Sequence, residues 1–345
     1  MLLAVATVGM ALTGCTNSDE PGGAALDTPL PTEVPPGTTL VIADQQERFQ
    51  TALRASGELE KLPFKVEFAN FIGGPEILEA FRAGAADVAP VGDVPPIHAL
   101  AAGQDVPIIA AYQTDPKGIK LAVAPGVTAT RLTDLKGKKI AYAEGTAQQA
   151  AVLRALDKAG LSTSDVELVR LQLADFNDAV RTGQVDIAPL NEPRLTRFLR
   201  TPGATVIPDS ETEGTYFGLG YLYARREATQ DPAKSAALRA LVAAFVRSFQ
   251  WTNIHRDEWA RIYYIENQKL SAEDAGRIVD SLGEFTFPRL DQHLIDQQQA
   301  TIDVIDAAGQ LPRAVDAADG FDQRFDEVIG QTVTAAGARF EQEKR

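Results

Sequence analysis

The chain has one cysteine, three histidines and two tryptophans in 345 residues. A single cysteine, Cys15, excludes an intrachain disulfide framework. His98, His255 and His293 stand far apart with no second ligand at metal spacing, so neither a metal centre nor a cofactor is expected. G-x-S-x-G, the P-loop and G-x-G-x-x-G are all missing, which removes the recognisable signatures of hydrolases, nucleotide hydrolases and dinucleotide enzymes. Positive charge is scarce as well: 33 Lys and Arg face 47 Asp and Glu, a net charge of -14. A nucleic-acid partner needs a basic face and is not expected. No apolar run after the first fifteen residues is long enough to cross a bilayer.

What is present begins with those residues, MLLAVATVGMALTGC, apolar and uncharged up to Gly14 and ending on small residues before Cys15. That is the form of a lipoprotein signal, 1–15, with Cys15 as the lipidated residue. No Lys or Arg precedes Arg48, whereas an export signal opens with positive charge, and translation is therefore expected to start further upstream. Residues 16–37 are rich in Pro, Gly and acids without period and read as a tether. The protein is expected outside the cell, held by lipid to the outer face of the cytoplasmic membrane. The remainder, with 45% hydrophobic residues overall, suffices for two domains of ordinary size.

An internal echo places those domains. Phe81-Arg-Ala-Gly-Ala-Ala-Asp-Val-Ala-Pro-Val91 matches Val180-Arg-Thr-Gly-Gln-Val-Asp-Ile-Ala-Pro-Leu190 at one constant offset, in Arg, Gly, Asp, Ala and Pro. Each copy reads as a helix end, a Gly at the left-handed C′ position and a short apolar strand. Strands are expected at Thr39–Ala43, Phe64–Phe68, Asp87–Val91, Ile119–Ala124, Lys139–Tyr142, Val166–Arg170 and Asp186–Leu190, alternating with helices. This is an α/β pattern of mostly parallel sheets covered by helices. After Tyr223 the pattern turns helical, with Leu238, Leu241, Val242, Phe245 and Phe249 in one stripe, Ser271 and Asp274 as a capping pair and Gly283 closing that helix.

Ligands of such sheets sit beyond the carboxyl ends of the strands. Gly73-Gly74-Pro75, Gly92-Asp93-Val94-Pro95-Pro96 and Glu144-Gly145-Thr146 each lead from a strand end into a helix start. Their orphan N–H groups could hold an oxyanion without any Arg. Asp93 and Glu192 could be taken for a general acid/base pair, but Asp93 reads more simply as the cap of the helix from Pro95. Trp251, Trp259, Tyr263 and Tyr264 follow helical spacing and read as core.

These motifs resemble the aliphatic-sulfonate, taurine and nitrate group of ABC-importer binding proteins. The resemblance runs from about Leu40 to the C-terminal helices and is strongest at Gly73–Gly103 and Leu132–Leu161, with the G-D-x-P-P-I run of the sulfonate branch at Gly92–Ile97. It implies a two-lobed type II periplasmic-binding-protein fold, each lobe a mostly parallel sheet flanked by helices. Lobe 1 would be 38–115 plus 217–345 and lobe 2 116–216, hinged near Thr114 and Tyr216. It implies ligand contacts at Gln45, Gly92, Asp93 and Thr146, and less directly at Gln148 and Asn191; the helix starts add Gly73 and Gly145, the echo, which pairs Gly92-Asp93 with Asn191-Glu192, adds Glu192, and the hinge crossings add Thr114 and Tyr216. The family's I-G-Y-Q is here Ile42-Ala-Asp-Gln45, and its W-x-P turn is Leu190-Asn191-Glu192-Pro193, so an amide and a carboxylate replace an aromatic wall.

The function implied is capture of a small organic anion, a sulfonate first, between the lobes of a monomer that delivers it to an ABC permease. Nitrate or a pyrimidine precursor as ligand, or an enzyme on the same fold related to thiamin-pyrimidine synthesis, are the alternatives. The N-terminal reading has its own test. Cys15→Ser should release the protein from membrane fractions, and intact mass showing an unmodified Cys15 in those fractions would refute the anchor.

Overall fold

A computed structural model describes residues 28–340; the signal, most of the tether and Cys15 lie outside the described residues. The chain builds two five-stranded sheets. The first contains β1 (Thr39–Gln45), β2 (Lys65–Phe71), β3 (Val88–Gly92), β4 (Ile108–Gln113) and β10 (Leu219–Ala224), in the order β2-β1-β3-β10-β4. The second contains β5 (Ile119–Val123), β6 (Lys139–Tyr142), β7 (Glu167–Arg170), β8 (Ile187–Asn191) and β9 (Thr205–Val206), in the order β7-β6-β8-β5-β9. In each sheet four strands share a direction and one, β10 or β5, runs against them. The result is a two-lobed α/β molecule with one sheet per lobe.

The echo in sequence is an echo in hydrogen bonding. Asp87 takes the Val41 N–H on its carboxylate at 3.0 Å, and Asp186 takes the Lys139 N–H at 2.8 Å. Each therefore pins the start of its strand, β3 or β8, to the neighbour that precedes it in the sheet. Asp87 is buried and further gripped by Arg225 at 3.0 Å and Lys234 at 2.7 Å. Gly84 and Gly183 both turn left-handed at the preceding helix ends, with φ of 67° and 74°. Those helices are α2 (Gly74–Arg82) and α5 (Phe176–Arg181), and their apolar faces, Ile77, Leu78 and Phe81 or Phe176, Ala179 and Val180, are buried.

Four further helices carry the site: α1 (Arg48–Ala55), α3 (Val94–Ala101), α4 (Ala147–Lys158) and α6 (Arg194–Leu199). Beneath α1 runs the long helix Pro232–Ile254, whose stripe Leu238, Leu241, Val242, Phe245 and Phe249 is buried as its spacing requires. Phe49, Phe245, Phe249, Tyr112 and Phe285 form one aromatic cluster with centroids 4.6 to 6.0 Å apart. Full burial is worth about 1.5–3 kcal/mol for each such side chain. Ser271 accepts the Asp274 N–H at 3.2 Å, and Gly283 ends that helix, Ala272–Leu282.

The chain passes between the sheets twice, after β4 and before β10, and the two passages are bonded together. Thr114 N donates to Gly218 O at 3.0 Å, and Gln113 Nε2 donates to Phe217 O at 2.9 Å. Gly218 has φ of 73°, and a Cβ there would collide with the Thr114 carbonyl. Only glycine meets both demands. Gly218→Ala should lower unfolding free energy by about 2–4 kcal/mol, combining left-handed strain with overpacking. Gly103 has φ of 74° but open space around it, so Gly103→Ala should cost only about 1–2 kcal/mol. Equal losses in urea unfolding would show that the passage yields to the methyl group.

Candidate functional site

A cavity of about 170 Å³ lies between the carboxyl ends of the two sets of strands. Of the residues expected there, Gln45, Gly92, Thr114, Thr146, Gln148, Asn191, Glu192 and Tyr216 line it. Gly73, Asp93 and Gly145 are not among its lining, and each is otherwise engaged. Gly73 N and Ile72 N donate to the Glu76 carboxylate at 3.2 and 2.8 Å. Gly145 N donates to Gln149 Oε1 at 2.8 Å, and its α-carbon faces Pro75 of the other lobe, where a Cβ would stand 3.3 Å from the ring. Asp93 does not cap α3. Its side chain is buried 3.8 Å from Arg154 Nη2, a contact between the lobes. Burial raises the Asp93 pKa while Arg154 opposes that rise.

The three helix starts are not equivalent. Glu76 fills the first turn of α2 with a negative charge of the chain's own. Helix α3 opens Val94-Pro95-Pro96, so two of its early N–H groups do not exist. Only α4 keeps its donors. Thr146 sits extended at its N-cap but makes no side-chain cap; its hydroxyl donates to Ala143 O at 2.7 Å. The hydroxyl proton expected for a ligand is thus occupied, whereas the orphan N–H groups beginning this twelve-residue helix remain, and Thr146, Ala147 and Gln148 line the cavity. Gly92 lets the lobes meet here, since a Cβ on it would come within 3.1 Å of Ala147 Cβ.

Two arginines line the same cavity, which sequence reasoning had assigned to N–H donors alone. Arg48 is the first residue of α1 and Arg194 the first of α6. Neither makes a side-chain hydrogen bond or an ion pair within 4.0 Å among the described residues; Arg48 Nε is buried without a partner, and its guanidinium lies 5.1 Å over the Phe285 ring. Burial, then repulsion from Arg197, lowers the Arg194 pKa, but a guanidinium stays charged near neutrality. Tyr263 and Tyr264, expected only as core, are buried and also face the cavity.

Each arginine is preceded by an acid that lines the cavity and is hydrogen-bonded to N–H groups of the helix the arginine begins. Asp44 accepts the N–H groups of Gln45, Phe49 and Gln50 at 2.7, 3.2 and 2.8 Å. Glu192 accepts the N–H and hydroxyl of Thr196 at 3.1 and 2.6 Å and lies 3.5 Å from Arg277. Glu192 makes no ion pair with Arg194 within 4.0 Å among the described residues. Between Asp44 and Arg48, Gln46 and Glu47 are left-handed with φ of 54° and 58°, a strain of about 1–2 kcal/mol each. Asn70 and Asn267 hold Glu47 at 3.2 and 2.7 Å, and Tyr263 reaches Gln46 O at 3.4 Å.

At the mouth, α6 is tied to the opposite lobe. Arg277 contacts Glu192 and Thr196, Arg200 pairs with Asp274, and Arg197 donates to Gln268 O at 2.8 Å.

The family described as NMT1/THI5 like matches residues 65–256. A protein of Escherichia coli K12 provisionally named an aliphatic sulfonates-binding protein is 29% identical over 252 residues, 73% of this chain and 77% of its own. One of the same provisional name from Bacillus subtilis 168 is 26% identical over 83% of each chain. The solved structure of the alkanesulfonate-binding protein of Xanthomonas axonopodis pv. citri bound to MOPS superposes with a TM-score of 0.75 at 25% identity, covering 82% of this chain and 97% of that one.

Burial raises the Asp44 pKa from 3.8 to about 6 against the pull of its three N–H donors and Arg48. The folded state therefore binds this proton more tightly than the unfolded chain. Asp44 disfavours folding above about pH 6, and that penalty is relieved as pH falls towards 4. The stability of wild type relative to Asp44→Asn should accordingly rise by about 2 kcal/mol from pH 7 to 4. A difference that does not vary with pH, measured by chemical unfolding, would place the Asp44 pKa at its ordinary value.

Proposed function

Because the chain belongs to the NMT1/THI5-like family, we propose that it is the solute-binding protein of an ABC importer that captures a small organic sulfonate between its lobes. The observation that carries this reading is the pair of guanidiniums, Arg48 and Arg194, that line one cavity with no carboxylate of the described residues within 4.0 Å of either. The α4 N-terminus adds backbone donors and a positive dipole end. An anion with three oxygens in tetrahedral array suits convergent donors of this kind, and the relatives named for sulfonates point the same way.

The mechanism is clamping. Lobe 1 (38–115 with 217–345) supplies Arg48, Gln45 and Thr114; lobe 2 (116–216) supplies α4, Asn191 and Arg194. Closure expels water and aligns donors that are apart when the lobes open. Three or four charge-assisted hydrogen bonds contribute roughly 5–12 kcal/mol gross, and desolvation and closure reduce this to the micromolar range, about -8 kcal/mol. No covalent step is assigned. Neither His nor Cys lines the cavity, and its two acids are hydrogen-bonded to their own helices. A monomer anchored through Cys15 on the extracytoplasmic side, docking on a permease, completes the reading.

Titration calorimetry with ethanesulfonate, taurine and nitrate tests it. A sulfonate should bind near the micromolar level and, at a hundredfold its Kd, stabilise the fold by about 2.7 kcal/mol. Arg48→Gln should weaken binding by about 10–100-fold. Retained affinity in a normally melting Arg48→Gln protein, or no sulfonate bound by wild type, would overturn the reading.

A further inference from the structure

Four formally charged side chains line the cavity: Asp44, Arg48, Glu192 and Arg194. Their formal charges cancel, so hydrogen-bonding capacity, not net charge, decides what fits. Both carboxylates are already supplied with donors, Asp44 by three backbone N–H groups and Glu192 by Thr196 and Arg277. Neither guanidinium has an acceptor among the described residues. The two belong to opposite lobes, Arg48 beginning α1 and Arg194 beginning α6, and the Tyr263 phenol lies in the field of both. Each guanidinium offers five donors in a planar fork that matches a carboxylate or sulfonate edge.

Resting on the sulfonate-binding reading above, we infer that the ligand carries a second anionic group, a carboxylate on a short chain from the sulfonate, so that one anion meets Arg48 and the other Arg194. A single sulfonate could satisfy the α4 N–H groups and one guanidinium, leaving the other desolvated on closure without an acceptor. That residual cost is the penalty for truncating one partner of a buried charge pair. An ammonium in place of the carboxylate would face Arg194 with like charge, and Glu192, although it lines the cavity, already accepts from Thr196 and pairs with Arg277. A dianion also gives each lobe its own charged contact, so it favours closure more than a ligand held by one lobe.

The experiment compares sulfoacetate, ethanesulfonate and taurine by titration calorimetry on wild type, Arg194→Gln and Arg194→Lys, with melting curves to confirm folding. Sulfoacetate should bind wild type at least tenfold more tightly than ethanesulfonate, with taurine no tighter than ethanesulfonate. In Arg194→Gln that ratio should shrink towards one, and Arg194→Lys should restore part of it. Ethanesulfonate binding as tightly as sulfoacetate to wild type, or a ratio unchanged in Arg194→Gln, would overturn the second anion and leave the sulfonate reading standing. Absence of binding by all three sulfonates would overturn both.

Discussion

A guanidinium that closure removes from water without an acceptor costs several kcal/mol, and the protein presents one part-buried guanidinium on each side of its cleft, Arg48 and Arg194. Much of the local structure makes that placement possible. Asp44 and Glu192 would neutralise the arginines if their carboxylates turned inward, but helix N–H groups hold them. The left-handed pair Gln46 and Glu47 lifts the chain between Asp44 and Arg48, and two asparagines, Asn70 and Asn267, fix that turn. Phe285 lies under the Arg48 guanidinium, giving it an attractive surface that cannot accept a hydrogen bond in the plane of the fork. Stability has been yielded locally so that a ligand supplies the missing acceptor, which is how binding free energy becomes closure.

The lobes touch through two unlike surfaces. On one side of the cavity Gly92 faces Ala147, Gly145 faces Pro75, and His98 Nε2 lies 2.8 Å from Gln149 Oε1. Behind them Asp93 and Arg154 form a buried pair, with Arg154 bonded to Thr301 and 4.0 Å over the Phe217 ring. At the mouth the Arg277–Glu192 and Arg200–Asp274 pairs are half open, with the arginines 47% and 55% exposed and their acids only 5% and 18%. The asymmetry has a mechanical reading. The Asp93–Arg154 contact is sheltered from water on both sides, whereas water and salt reach the mouth pairs from the arginine side.

Much of this was legible in the sequence. The echoed Arg-x-Gly-x-x-Asp-x-Ala-Pro runs became equivalent α-turn-β units because both aspartates perform one backbone task. All seven expected strands exist within three residues of their expected bounds. Missed were β4, β9 and β10. Ile108–Gln113 and Leu219–Ala224 are buried on both faces and show no alternation, and β10 is a long-range return that no local pattern announces. The arginines were missed for a different reason. A cation at the first position of a helix opposes the dipole, so Arg48 and Arg194 each break a local electrostatic rule. Asking which helices begin with the wrong charge would have found these two, together with Arg226 and Arg256, which begin the helices Arg226–Gln230 and Arg256–Trp259 and do not line the cavity.

The sequence reading treated three helix starts as equal contributors, and their inequality is what gives the cleft a direction. Glu76 neutralises the start of α2, and Pro95 with Pro96 deletes donors at the start of α3, so both contributions from that side of lobe 1 fall away. What lobe 1 retains is a guanidinium on an aromatic bed; what lobe 2 retains is a helix dipole and a second guanidinium. In the proposed binding an anion meets the oriented backbone donors of α4 and the Arg194 fork on the lobe 2 wall, and the Arg48 fork on the other. Backbone N–H groups cannot follow a ligand, whereas an arginine side chain can, so the α4 start fixes the ligand's position and the two forks adapt to its length. Discrimination among anions then follows from the reach between those fixed donors and the two forks when the lobes close, with the Gly92–Ala147 contact limiting how near the lobes come.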